Sequence, residues 1–197
     1  MDLSHARDAA IDIARDAGKL LLEYYEKELI YNEKASAIDI VTEADKAAEV
    51  MIVERLTALF PDHHIEGEEG GHQGAASQDA DYTWHVDPID GTTNYAHRIP
   101  YFCTSTALAT LDREPLVGVL YAPIANELFV AVKGEGATVN GRPIHVSDRA
   151  ELWQCIVVSG FPYDRQTNPD NNVAEWTAFV PKVQGLRRMG SAALDMA

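Results

Sequence analysis

The run Asp87-Pro88-Ile89-Asp90-Gly91-Thr92-Thr93-Asn94 gathers two carboxylates, two hydroxyls and a turn-forming glycine into one short stretch. Pro88 stiffens the backbone between the acids, and Gly91 lets the chain turn sharply after them. The Ile89 side chain is expected to pack inward, leaving its carbonyl facing the same small volume as Asp87 and Asp90. Such hard oxygen donors suit Mg²⁺ or Ca²⁺ rather than zinc. The spacing does not match an EF-hand loop. Gly91, Thr92 and Thr93 then offer backbone N–H groups and hydroxyls at a helix start, which is chemistry for an anion. Carboxylates beside an anion cradle are compatible only if cations lie between them, and a phosphate bridging two metal ions meets that demand. The alternative is a tight acidic turn capped by its own hydroxyls. A second acidic knot just upstream, Glu66-Gly67-Glu68-Glu69-Gly70-Gly71, weighs against it, because clustered acids repel one another.

The surrounding pattern implies the elements that hold these residues. Ile11, Ile13, Ala14, Ala17, Leu20, Leu21 and Tyr24 recur near the helical period, predicting an amphipathic helix over about 4–27. An extended piece at Leu29–Tyr31 and a loop at Glu33–Ala37 follow. Thr42 and Asp45 fit a capping box opening a second helix that ends at Phe60, with Ala48, Met51, Ile52, Leu56 and Leu59 as its buried stripe. Capping accounts fully for Thr42, whereas Asp45 stays open between cap and functional group. His64–Glu66 reads as a strand, residues 70–77 as a loop, and Tyr82–Val86 as a strand with Asp87 at its end. Ala107–Leu111, Leu116–Tyr121 and Glu127–Val132 form a meander, and Asn140-Gly141 turns a hairpin. Ile156–Val158 is a further strand, Asn172–Val183 a helix, and residues 187–194 a strand end entering a helix. Helices alternating with antiparallel strands predict an α+β fold of stacked layers.

Composition narrows the classes. With 31 acidic against 16 basic residues the net charge is −15, which argues against nucleic-acid binding. No apolar run is long enough to span a membrane and the N-terminus lacks a leader pattern, so the expectation is a cytoplasmic protein with no membrane partner. Cys103 and Cys155 are read as small buried hydrophobes, and Trp153 and Trp176 as core. No histidine has metal-ligand spacing, and His85 and His97 are read as packing or hydrogen-bonding residues.

The Asp87–Asn94 motif resembles the signature of the inositol monophosphatase family of magnesium-dependent, lithium-sensitive phosphatases. Gly67-Glu68-Glu69 resembles the family's upstream acidic element, Asp39–Asp45 its N-terminal segment, and Arg188–Ala193 its later substrate segment. The resemblance covers essentially residues 1–197 as one domain and implies a layered αβαβα sandwich. It implies two or three Mg²⁺ ions. Glu68, Asp87 and the Ile89 carbonyl would hold the first, Asp87 and Asp90 the second, and Glu69 a third through water. Asp45 and Thr92, with Glu68, would form the catalytic set that orients and deprotonates the attacking water. Glu68, Ile89, Asp90, Gly91, Thr92 and Thr93 would surround the phosphate, and Gly190, Ser191 and Ala192 would line the sugar-alcohol side. It implies a homodimer acting on a small phosphate monoester, first of all myo-inositol 1-phosphate. Fructose 1,6-bisphosphate, histidinol phosphate and 3′-phosphoadenosine 5′-phosphate are alternative substrates, and a non-catalytic interaction module is the alternative of another class. Family members continue to a Trp-Asp motif whose aspartate joins the second metal site. The implied expectation is therefore a chain incomplete at its C-terminus.

Overall fold

The computed structural model describes residues 1–27, 31–33, 40–77 and 79–197. The expected pieces at Leu29–Tyr31 and Glu33–Ala37, and Asp39, fall wholly or partly outside them. Helix α1 spans Leu3–Tyr25, and its Asp2 cap accepts from the Ser4 and His5 N–H groups. Strands β1 (Tyr31–Glu33) and β2 (Ile40–Thr42) pair antiparallel and lead into α2 (Glu43–Leu59). The main sheet has eight strands in the order β10-β9-β8-β7-β6-β5-β3-β4. These are β3 (His64–Gly67), β4 (Gly71–Gly74), β5 (Tyr82–Asp90), β6 (Cys103–Thr110), β7 (Pro115–Ala122), β8 (Glu127–Val132), β9 (Gly136–Val139) and β10 (Arg142–Ile144). A five-residue helix α3 (Thr92–Ala96) follows β5. Beyond the sheet lie β11 (Ile156–Val158), α4 (Val173–Phe179), β12 (Gly185–Arg187) and α5 (Ala192–Met196), with β11 and β12 paired in parallel.

One face of the sheet carries α1 and α2. Ala6, Ala10, Ile13, Ala14 and Ala17 of α1 and Ile52, Val53 and Leu56 of α2 meet Ile65, Trp84, Val86, Leu108, Val117 and Val119 in a continuous core. Small residues along α1 let it lie close to the strands. A second cluster of Leu21, Ala44, Ala48, Ile89, Tyr95 and Phe102 closes the end of this layer nearest the signature. The fold is thus a mixed α/β assembly around a central sheet, as the helix and strand pattern predicted.

Several local expectations are corrected. Residues Gly71–Gly74 form β4, the outer strand of a hairpin with β3, where a loop was expected. Asp87 lies inside β5 rather than at its end. Helix α4 stops at Phe179, short of the expected Val183. Leu59 and Trp153 are exposed, and Cys155 is half-buried, whereas Cys103 is fully buried. The capping box, the meander and the two-residue Asn140-Gly141 hairpin form where the sequence places them.

Candidate active site

The two acidic stretches meet because β3 runs parallel to β5, with Gly67 beside Val86. The next residue on each strand is an acid, so Glu68 emerges next to Asp87, and the Glu68 N–H donates to the Val86 carbonyl at 3.1 Å. A bulge then re-aims the signature. Asp87 pairs with Ser105 and Asp90 with Cys103, so three steps on β5 face two on β6. In a regular strand, residues three apart point to opposite faces. The extra residue resets that alternation: Ile89 returns to the helix-side core, where it is fully buried, and Asp87 and Asp90 share the other side. Gly91 caps α3 at φ 101°, and a Cβ there would stand 3.1 Å from the Tyr101 carbonyl and 3.2 Å from that of Gly190.

Asp45 reaches the same place from α2. It is fully buried, and its Oδ2 accepts from the Thr42 N–H at 2.8 Å and the Thr42 hydroxyl at 2.5 Å. The Thr92 hydroxyl lies 3.2 Å from Asp45 Oδ1 and 3.0 Å from the Ile89 carbonyl, within donating distance of both. Asp45 therefore serves as cap and joins the signature at once.

Asp87 is held under electrostatic stress. Burial, then the nearby Glu68 and Asp90 charges, push its carboxyl up to about 8. Its Oδ1 is buried with no hydrogen-bond partner. A hard cation relieves both conditions, since it removes the like-charge repulsion and engages the bare oxygen. Among the described residues, no group of three or more His, Cys, Asp or Glu side chains stands in metal-holding geometry. Asp90 accounts for part of this, because it accepts from the Ser191 hydroxyl at 2.5 Å and from the Ala193 and Ala192 N–H groups at 2.7 and 3.2 Å. A carboxylate offers about four lone-pair directions, so these three bonds leave one open. Glu68 and Asp87 are neighbours, and the third hard donor expected here, the Ile89 carbonyl, belongs to the backbone.

Residues 188–192 are tied to the signature. Asn94 Nδ2 donates to the Tyr101 carbonyl at 2.7 Å and the Met189 carbonyl at 2.8 Å. Gly190, Ser191 and Ala192 line the cleft, and Ser191 turns its hydroxyl onto Asp90. The Cys103 thiol, 3.8 Å from the Ser191 hydroxyl, is pushed up to about 12 by burial and by Asp90, so it stays protonated and inert.

Glu49 is the residue the sequence reading missed. It is almost fully buried on α2 and accepts the Glu69 N–H at 2.8 Å and the Gly70 N–H at 2.5 Å. A Cβ at Gly67 would stand 2.7 Å from its carboxyl carbon. Glu49 thereby fixes the loop that presents Glu68. Its spacing to Ile52, Val53 and Leu56 was the available signal, since it places an acid on the buried stripe.

The site opens into a cleft of 540 Å³ lined by Glu68, Asp87, Asp90, Gly91–Asn94, residues 159–163, Arg165, Arg188 and residues 190–192. A larger groove of 680 Å³, lined by Leu120, Phe129 and Met196 among others, lies away from these acids.

The inositol monophosphatase family model matches residues 2–197. An inositol-1-monophosphatase of Synechocystis is 43% identical over 99% of this chain and 67% of its own length. A Pseudomonas aeruginosa protein named Nus factor SuhB is 41% identical over 95% of this chain and 70% of its own. The solved structure of an inositol monophosphatase from Anabaena superposes with a TM-score of 0.87 at 44% identity, covering 100% of this chain and 71% of that one.

Proposed function

The chain belongs to the inositol monophosphatase family of phosphoric monoester hydrolases, and from that premise we propose that it hydrolyses the phosphate monoester of a sugar alcohol with Mg²⁺, myo-inositol 1-phosphate foremost. The observation that carries this reading is the parallel register of β3 and β5, which lays Glu68 against the half-buried Asp87. Glu68, Asp87 and the Ile89 carbonyl would hold one cation, Asp87 and Asp90 a second, and Glu69 a third through water. Bound there, the cations would screen the carboxylates, draw a dianionic phosphate into an acidic cleft and supply Lewis acidity.

The chain's own groups do the rest. A water set on the Thr92 hydroxyl gives up its proton to that oxygen as the hydroxyl's proton passes to Asp45 Oδ1, 3.2 Å away. Asp45 Oδ2 stays fixed by its two Thr42 bonds, so the receiving oxygen is the one facing Thr92. The N–H groups of the Gly91–Thr93 turn would take phosphate oxygens and hold phosphorus in line with the water. Gly190 and Ala192 would contact the departing polyol, while Ser191 holds Asp90 in place. We place the enzyme in the cytoplasm as a homodimer. No helix among the described residues is long and apolar enough to cross a membrane, and sedimentation velocity checks the assembly.

The test is phosphate release from myo-inositol 1-phosphate, with the protein taken as its reading frame encodes it. Release should require Mg²⁺, and Asp90→Asn should lower kcat/KM by roughly 100-fold or more. Undiminished turnover in EDTA would overturn the reading. The Nus factor name of the Pseudomonas relative favours a second reading, a non-catalytic interaction module on the same fold. Calorimetry separates the two: Mg²⁺-dependent binding of the sugar phosphate supports the enzyme, and its absence supports the module.

A further inference from the structure

His64 and His72 stand eight residues apart in the chain, and the β3–β4 hairpin folds one against the other. Across the two strands Glu66 faces His72 and Gly74 faces His64. The histidines are therefore diagonal neighbours on one side of the sheet, a separation that long side chains bridge. His64 Nε2 lies 3.1 Å from His72 Nδ1, with ring centres 5.2 Å apart.

The second nitrogen of His64 decides what the first can do. Its Nδ1 lies 2.8 Å from the Ala75 carbonyl, and a carbonyl only accepts, so Nδ1 carries the proton. In the neutral ring Nε2 is then a bare lone pair aimed at His72. A ring N–H given to a backbone carbonyl is the outer support with which metal-binding histidines fix their tautomer. His64 is 6% exposed, so packing holds its ring in that orientation, whereas His72 is exposed and its ring can tilt. As a hydrogen bond the pair uses the His72 Nδ1 proton; with that proton on Nε2 instead, a second lone pair stands beside the first. Zinc–imidazole bonds of about 2.0–2.1 Å at a tetrahedral centre set two nitrogens roughly 3.3 Å apart, close to the spacing already present. Glu66, the acid facing His72, is engaged with His85 Nδ1 at 3.2 Å. No third His, Cys, Asp or Glu side chain of the described residues completes a cluster. A cavity of 270 Å³ opens on both rings, bounded by residues 73–77, and has room for waters in the remaining coordination positions.

We infer that His64 and His72 form a site for a transition-metal ion of the zinc class, held by two imidazoles and completed by water, separate from the carboxylate cradle. Imidazole nitrogen favours Zn²⁺, Cu²⁺ and Ni²⁺ over Mg²⁺, so the two sites sort ions by donor type. The ion staples β4 to β3 at the base of the turn that presents Glu68, and it takes no part in the proton transfer at Thr92 and Asp45.

Zn²⁺ alone is the probe, titrated by calorimetry into Asp87→Asn protein with Mg²⁺ in excess, which keeps the carboxylate cradle from competing for it. Zn²⁺ should bind, and adding His72→Gln or His64→Gln should weaken that binding by roughly 100-fold or more, since loss of an outer-shell partner alone costs about 10–100-fold. His145→Gln should leave it unchanged, because that exposed histidine follows β10 at the opposite edge of the sheet. His72 is exposed, so loss of Zn²⁺ in His72→Gln is not loss of the fold. Cu²⁺ on the same protein should show two nitrogen donors in its electron paramagnetic resonance spectrum, and a single one after His72→Gln. Absence of Zn²⁺ binding in the parent, equal Zn²⁺ affinity with and without His72→Gln, or a Cu²⁺ spectrum that His72→Gln leaves unaltered would each overturn the site.

Discussion

Asp87 sits where an ionised carboxylate is poorly tolerated, because burial and the charges of Glu68 and Asp90 both oppose it. Its carboxyl rises from 3.8 to about 8, so the folded chain retains a proton that the unfolded chain loses near pH 4. The stability from that proton is complete below about pH 4 and is lost as pH rises through about 8. In EDTA, melting temperature should therefore fall between pH 5 and pH 8 through this group, and Asp87→Asn should flatten the decline. At pH 8 in EDTA the same variant should be more stable by about 2 kcal/mol, roughly 4–8 °C in Tm, while its phosphatase activity disappears. A lower Tm for Asp87→Asn at pH 8 would mean that this carboxylate stabilises the fold. The identity of Asp87 and its neighbours was legible in the motif. Repulsion from the nearby acidic knot was legible too, whereas the burial of the Asp87 carboxyl was not, since it depends on strand pairing.

Helix α2 positions the site from its first two turns. Its first turn supplies Asp45 to Thr92, and one turn further Glu49 clamps the Glu69 and Gly70 N–H groups. Removing that clamp frees the loop carrying Glu68 without touching the substrate. Glu49→Ala should cut kcat/KM by roughly 100-fold and weaken the apparent Mg²⁺ affinity, with Tm down by only about 2–4 °C, because water can reach the partly exposed loop. Glu49→Gln keeps one acceptor and should lose roughly tenfold. Unchanged Mg²⁺ dependence in Glu49→Ala would show that the loop holds its place without the clamp. The capping box explained Asp45 as a local feature. Its bond to Thr92 spans 47 residues and could not be read from local spacing.

At the scale of the molecule, the candidate site is a seam. The α1/α2 layer contributes Asp45, the sheet contributes Glu68, Asp87 and Asp90, and the region beyond β10 contributes Gly190–Ala192 through the Asp90 bonds. A ligand that grips several of these pieces stabilises the whole fold by mass action. Mg²⁺ at about 100 times its dissociation constant should add about 2.7 kcal/mol, and Glu68→Gln should reduce that gain to below about half. A calorimetric scan with and without Mg²⁺ reads this directly. An identical Mg²⁺ shift in Glu68→Gln would place the stabilising cation elsewhere.

The sequence by itself determined the candidate groups and the local devices that hold them. The signature, the Thr42–Asp45 box, the meander and the Asn140-Gly141 hairpin depend on near neighbours, and short-range backbone physics decides them. Tertiary structure decided how the groups meet. The parallel β3–β5 register placed Glu68 beside Asp87, and the bulge turned Asp87 and Asp90 to one side. The α5 start engaged Asp90, and Glu49 became a clamp on the Glu69–Gly70 backbone. Each of these depends on a register or a packing face shared by segments far apart in the chain, and no local pattern encodes that relation.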